Sequence, residues 1–85
     1  MKQILSLPQQ LGLLLQSARK SAGLTQTELA QRVGMSQSRI SAMELDPGAI
    51  NVEQLLALLG ALDHELLVQP KKAVAGERGP AVPEW

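Results

Sequence analysis

The chain of 85 residues contains no cysteine, no phenylalanine and no tyrosine, and its single aromatic residue, Trp85, is the last one. Without cysteine no disulfide can brace so short a fold, and a cysteine-based zinc site is excluded with it. No apolar run approaches the roughly 20 residues that a membrane span needs. The N-terminus also has no basic segment followed by an apolar stretch of the kind a secretory signal carries, so a cytoplasmic location is expected. The length allows one small domain, whose core alone is expected to hold roughly 3 to 5 kcal/mol. With disulfides and a cysteine-based zinc site excluded, self-association is the expected further source of stability, and a homodimer is the expected form.

A net charge of zero, eight basic against eight acidic side chains, gives no overall attraction to nucleic acid. The charges are nonetheless segregated. Residues 15–43 carry Arg19, Lys20, Arg32 and Arg39 against Glu28, a balance of plus three. Residues 44–65 carry Glu44, Asp46, Glu53, Asp63 and Glu65 with no lysine or arginine, a balance of minus five. A surface built from the first stretch would attract polyanions, and one built from the second would be held away from them.

Four helix signals follow one another, each opened by a side-chain oxygen that can accept from free first-turn amides. Ser6-Leu7-Pro8-Gln9 reads as a capping box with proline in the first turn. It is followed by an apolar stripe of Leu7, Leu11, Leu14, Leu15, Ala18 and Ala22 that Gly23 ends. Gly12 inside this helix costs about 1 kcal/mol relative to alanine and marks either a close packing contact or mere tolerance. Thr25 and Glu28 form a second capping box, for a short helix with Leu29, Ala30 and Val33 that stops at Gly34. Ser36 caps a third helix, from Gln37 to about Leu45, whose inward residues are Ile40 and Met43. Asp46-Pro47-Gly48 reads as a turn. Asn51 with Gln54 opens a fourth helix dense in leucine, and the excess places Leu58 and its neighbours either deep in the core or against a second subunit. His64 to Gln69 reads as a short β-strand closed by Pro70. Because no other strand candidate exists, it is expected to pair with its symmetry mate across a dimer, the alternative being a kinked continuation of helix four. Residues 1–69 are therefore expected to form one folded domain, and residues 70–85, rich in proline, glycine and alanine, a flexible tail.

The segment Gln26 to Leu45 carries the informative spacing. Counting Gln26 as one, a small residue at position five (Ala30) lets two helices approach. Glycine at position nine (Gly34) allows the positive φ of a tight turn, and a branched residue at position fifteen (Ile40) fills the inner face of the second helix. Together these are the marks of a helix-turn-helix.

On these residues the chain resembles the Cro/lambda-repressor (Xre) class of helix-turn-helix proteins, with a five-helix-type layout over about residues 7–62. Its size, the strand after the last helix and a tail ending in Glu84-Trp85 resemble the HipB-type antitoxins. The resemblance implies an all-α bundle with one short C-terminal strand. It further implies a DNA-binding antitoxin that represses its own transcription from a palindromic operator and neutralises a HipA-like serine/threonine kinase toxin. A free-standing regulator without a toxin is the alternative. Carried over by position, Ser36, Gln37, Ser38 and Ser41 would face base edges in the major groove, Gln37 with an amide that matches adenine. Gln26 and Arg39 would hold phosphates, together with helix N-terminal amides. Ser36 also serves as an N-cap, and Ser38, Ser41 and Arg39 read equally as exposed helix surface. Met43 stands where the class often has an aromatic residue or leucine. Trp85 and Glu84 would dock on the toxin, since tryptophan at a free end is a typical interface anchor; the alternative is a frayed end or one folded back on its own domain.

No enzyme is expected, and no cofactor. The lone histidine, His64, lies between Asp63 and Glu65, and neighbouring strand residues point to opposite faces and cannot share a site. No metal-ligand spacing or glycine-rich phosphate loop is present.

Overall fold

The computed structural model describes residues 3–71, and these fold as four α-helices around one core. The helices are α1 (Pro8–Ser21), α2 (Gln26–Val33), α3 (Gln37–Leu45) and α4 (Val52–Ala61), with a single 3-10 turn at Pro47–Ala49 before α4. The five-helix-type layout is thus four helices and this turn, which occupies the Asp46-Pro47-Gly48 segment because proline supplies the φ such a turn needs.

Side-chain caps set three of the four helix starts. The Thr25 hydroxyl accepts from the amide of Glu28 (3.0 Å) while the Glu28 carboxylate accepts from the amide of Thr25 (2.8 Å). Ser36 accepts from the amide of Arg39, and Asn51 and Gln54 form a reciprocal box. The first helix departs from expectation. Its cap residue is Leu7, and it is Gln10, not Gln9, that reaches back to the amides of Ser6 and Leu7. The Ser6 hydroxyl therefore does not cap α1. The chain leaves α2 through Gly34 at φ +72, the left-handed geometry for which glycine is suited.

The core joins Leu15 and Ala18 of α1, Leu29 and Ala30 of α2, Ile40 and Met43 of α3, and Leu58 and Leu59 of α4 with Leu62 just beyond it. Helix α1 packs on α3 and the 3-10 turn, and α2 packs on α3 and α4. All three helix-turn-helix positions do their expected work, since Ala30 and Ile40 are buried at the contact and Gly34 makes the turn. Gly12 is a close packing contact. A Cβ there would run into the backbone carbonyl of Glu44, so α1 crosses α3 closer than any side chain allows. Leu58 belongs to the protein's own core at 2% exposure, whereas Val52 and Leu56 form the outer face of α4 at 68% and 50%.

Among the described residues there is no strand. After α4 the chain turns through Asp63, at φ 59, and the amide of His64 bonds back to the carbonyl of Leu59. His64 thus belongs to the helix C-terminus, its Nδ1 lying 2.8 Å from the carbonyl of Leu62. Residues 64–71 have no regular structure and are exposed, with Leu66, Leu67 and Val68 apolar and open to solvent. Among the described residues the segment meets no second extended stretch, so no ladder forms on it. Glu84 and Trp85 lie outside the described residues.

Candidate nucleic-acid interface

The α2–turn–α3 unit brings the N-termini of both its helices to one edge of the molecule. Their first residues are in direct contact: the side-chain amide of Gln37 donates through Nε2 to the side-chain oxygen Oε1 of Gln26. First-turn amides are unpaired within a helix and carry its positive dipole end, so this edge presents two sets of anion-binding donors side by side.

The expected groove-facing residues fall here as follows. Gln37 is the first residue of α3 and is exposed. Ser36 is its N-cap, with its hydroxyl oxygen used by the amide of Arg39 and lying 3.3 Å from the hydroxyl of Ser38. Ser38 and Arg39 are exposed in the first turn, and Ser41, half-buried, lies on the following turn beside Glu44 and Leu45 in a shallow groove that Gln16 of α1 also lines. Gln26 opens α2 and is half-buried.

Behind this edge stands a contact that sequence reasoning missed. Arg19 of α1 and Glu44 of α3 form an ion pair, Nε to Oε2 at 2.7 Å, with side chains only 9% and 6% exposed. A second guanidinium nitrogen reaches Glu44 Oε1 at 3.3 Å, and the third donates to the carbonyl of Leu24 at 2.9 Å. Gln26 donates to the same Glu44 Oε1 at 3.0 Å. Buried and paired, with each of the three guanidinium nitrogens making a hydrogen bond, this is the form in which charge is tolerated inside a domain. The pair removes Arg19 from the basic stretch and Glu44 from the acidic one, so the exposed charge of each falls by one. A signal was present: Arg19 lies four residues after Leu15 and next to Ala18, on the inward side of α1, where an arginine requires a buried acceptor.

Among the described residues no three histidine, aspartate or glutamate side chains gather as metal ligands, and no helix is long and apolar enough to cross a membrane.

A helix-turn-helix with two adjacent helix N-termini and a polar leading turn on its second helix defines a class of DNA-binding regulators. The family model described as Helix-turn-helix matches residues 15–66, well over half of the chain, and the chain belongs to that family, in its Xre type. Among solved structures it is similar to HipB. The HipA-HipB-O2-O3 complex contains a chain 28% identical to this one, with a TM-score of 0.77, covering 84% of this chain and 100% of that one. HipB in an O4 20mer complex matches at 28% identity and TM-score 0.76, over 84% and 100% of the two chains. HipB in an O1-O2 complex matches at 28% and 0.73, over 82% and 100%. No curated protein matches the sequence significantly.

Proposed function

We propose that this protein is a homodimeric antitoxin that represses its own transcription and neutralises a HipA-like serine/threonine kinase toxin. The observation that carries the reading is the likeness to HipB along the whole of the HipB chain, in structures that hold HipA and 20mer ligands. Helix α3 enters the major groove of a palindromic operator. Ser36, Gln37, Ser38 and Ser41 face the bases, and Gln26 and Arg39 hold the flanking phosphates along with the N-terminal amides of α2 and α3. The folded unit is residues 1–69 and the tail residues 70–85, whose last two residues, Glu84 and Trp85, dock on the toxin.

Residues 64–69 act as a strand that pairs with its symmetry mate. Three exposed apolar side chains, Leu66, Leu67 and Val68, on a stretch that pairs with no strand among the described residues favour that reading. A regulator without a toxin partner is the alternative. The two separate by capture of the full chain's partners from its own cells, where the antitoxin reading expects a kinase. Removing Glu84 and Trp85 should weaken that capture and leave DNA binding intact. Capture of no kinase leaves the free-standing regulator, and loss of DNA binding on removing the two residues assigns Trp85 a structural role.

A further inference from the structure

We propose that Arg19 and Glu44, neither of which reaches DNA, choose which base Gln37 reads; the inference rests on the reading that α3 enters the major groove. Arg19, Glu44, Gln26 and Gln37 form one continuous hydrogen-bonded line from inside the domain to the leading edge of α3. The line has a direction, and its inner end sets it.

A carboxylate paired with arginine accepts hydrogen bonds and donates none. Gln26 must therefore turn its NH2 group toward Glu44, as it does at 3.0 Å, and this leaves its carbonyl oxygen facing Gln37. That oxygen can only accept, so Gln37 must donate to it through Nε2. Gln37 then has its own carbonyl oxygen and one remaining N–H free for a ligand. An acceptor beside a donor is the pattern that pairs with adenine, through its N6 amino group and N7. If the line ran the other way, Gln37 would spend its oxygen on Gln26 and present both N–H donors, which suit the N7 and O6 acceptors of guanine. Glu44 and Arg19 are thus positioning residues for specificity, acting through Gln26.

Two substitutions separate this from a purely structural role. In Glu44→Gln the side chain at position 44 keeps an oxygen for Arg19 and gains an NH2 group that must donate outward to Gln26, reversing the line. Gln26→Met leaves the ion pair in place and cuts the line between its two ends. The full chain and its variants are bound to a duplex library with a randomised core, and bound sequences are counted. The position read by Gln37 is the one whose preference disappears in Gln37→Ala.

At that position the wild-type chain is expected to favour adenine by about tenfold, the discrimination of a good bidentate contact. Gln26→Met should reduce the preference to about twofold or less, as the amide loses its fixed direction. Glu44→Gln should move the preference toward guanine, and where that variant does not fold, Gln26→Met decides alone. An unchanged adenine preference in every folded variant of the two, at a position that Gln37→Ala erases, overturns the inference and leaves the groove reading standing. A wild-type chain that enriches no duplex overturns both.

Discussion

Arg19 and Glu44, 25 residues apart in the chain, meet in a buried pair that fastens α1 to α3 and supports the first residue of α2 through Gln26. Removing one partner leaves an uncompensated charge inside a small domain. Arg19→Ala and Glu44→Ala are each expected to cost about 3 to 5 kcal/mol, comparable to the whole stability of the domain. Replacing both residues together, Arg19→Met with Glu44→Leu, should cost far less, because no lone charge remains. Urea unfolding of the three variants gives the comparison, and equal losses in single and double variants would contradict it.

Two glycines in helices should respond oppositely to alanine. Gly60→Ala meets no atom within 4 Å and should gain about 0.5 to 1 kcal/mol from helix propensity. Gly12→Ala places a Cβ against the carbonyl of Glu44, which is backbone and has little room to move. A loss of about 1 to 3 kcal/mol is expected there despite the same gain in propensity. Thermal unfolding reads the two signs, and stabilisation by both would show that α1 and α3 can separate freely.

The turn of the motif depends on Gly34 at φ +72, with open space around the missing side chain. Gly34→Ala is therefore a test of backbone strain alone, with an expected loss of about 1 to 2 kcal/mol. Gly34→Asn should lose less, since asparagine tolerates this region. Equal stability of the alanine variant and wild type in denaturant unfolding would contradict the assigned turn.

The segment after α4 carries the dimer prediction. Leu67→Pro removes a backbone donor without touching the core, since Leu67 is 62% exposed. Sedimentation should show dimer in the wild-type chain and a shift toward folded monomer in the variant. A variant that stays fully dimeric would move the interface elsewhere, the exposed Val52 and Leu56 of α4 being the next place to look.

What was legible in the sequence was local. The caps at Thr25, Ser36 and Asn51 and the spacing of Ala30, Gly34 and Ile40 depend on residues within a few positions of one another, and each appears where its neighbours require. Ser6 misled because the cap position falls one residue later, at Leu7, which makes Gln10 rather than Gln9 the residue that reaches back to the amides of Ser6 and Leu7. The leucines of α4 could not be sorted by pattern alone, as four of them in ten residues, with Leu62 just beyond, spread around the helix; packing on α2 buries Leu58 and Leu59 and leaves Leu56 outside. The candidate interface was legible as a set of residues along α3. Its wiring through Gln26 to Glu44 and Arg19 was not, because hydrogen bonds across three helices carry no sequence period.

On the proposed reading, the leading turn of α3 reads base edges while its flanks hold phosphate. Titration of the full chain with its enriched duplex and with random duplex, over a range of salt, tests it most directly. Gln37→Ala should lose about 1 to 3 kcal/mol on the enriched duplex and little on random DNA, whereas Arg39→Ala should weaken both alike and lower the salt dependence by about one counterion. Unchanged affinity of both variants for both duplexes would contradict the account.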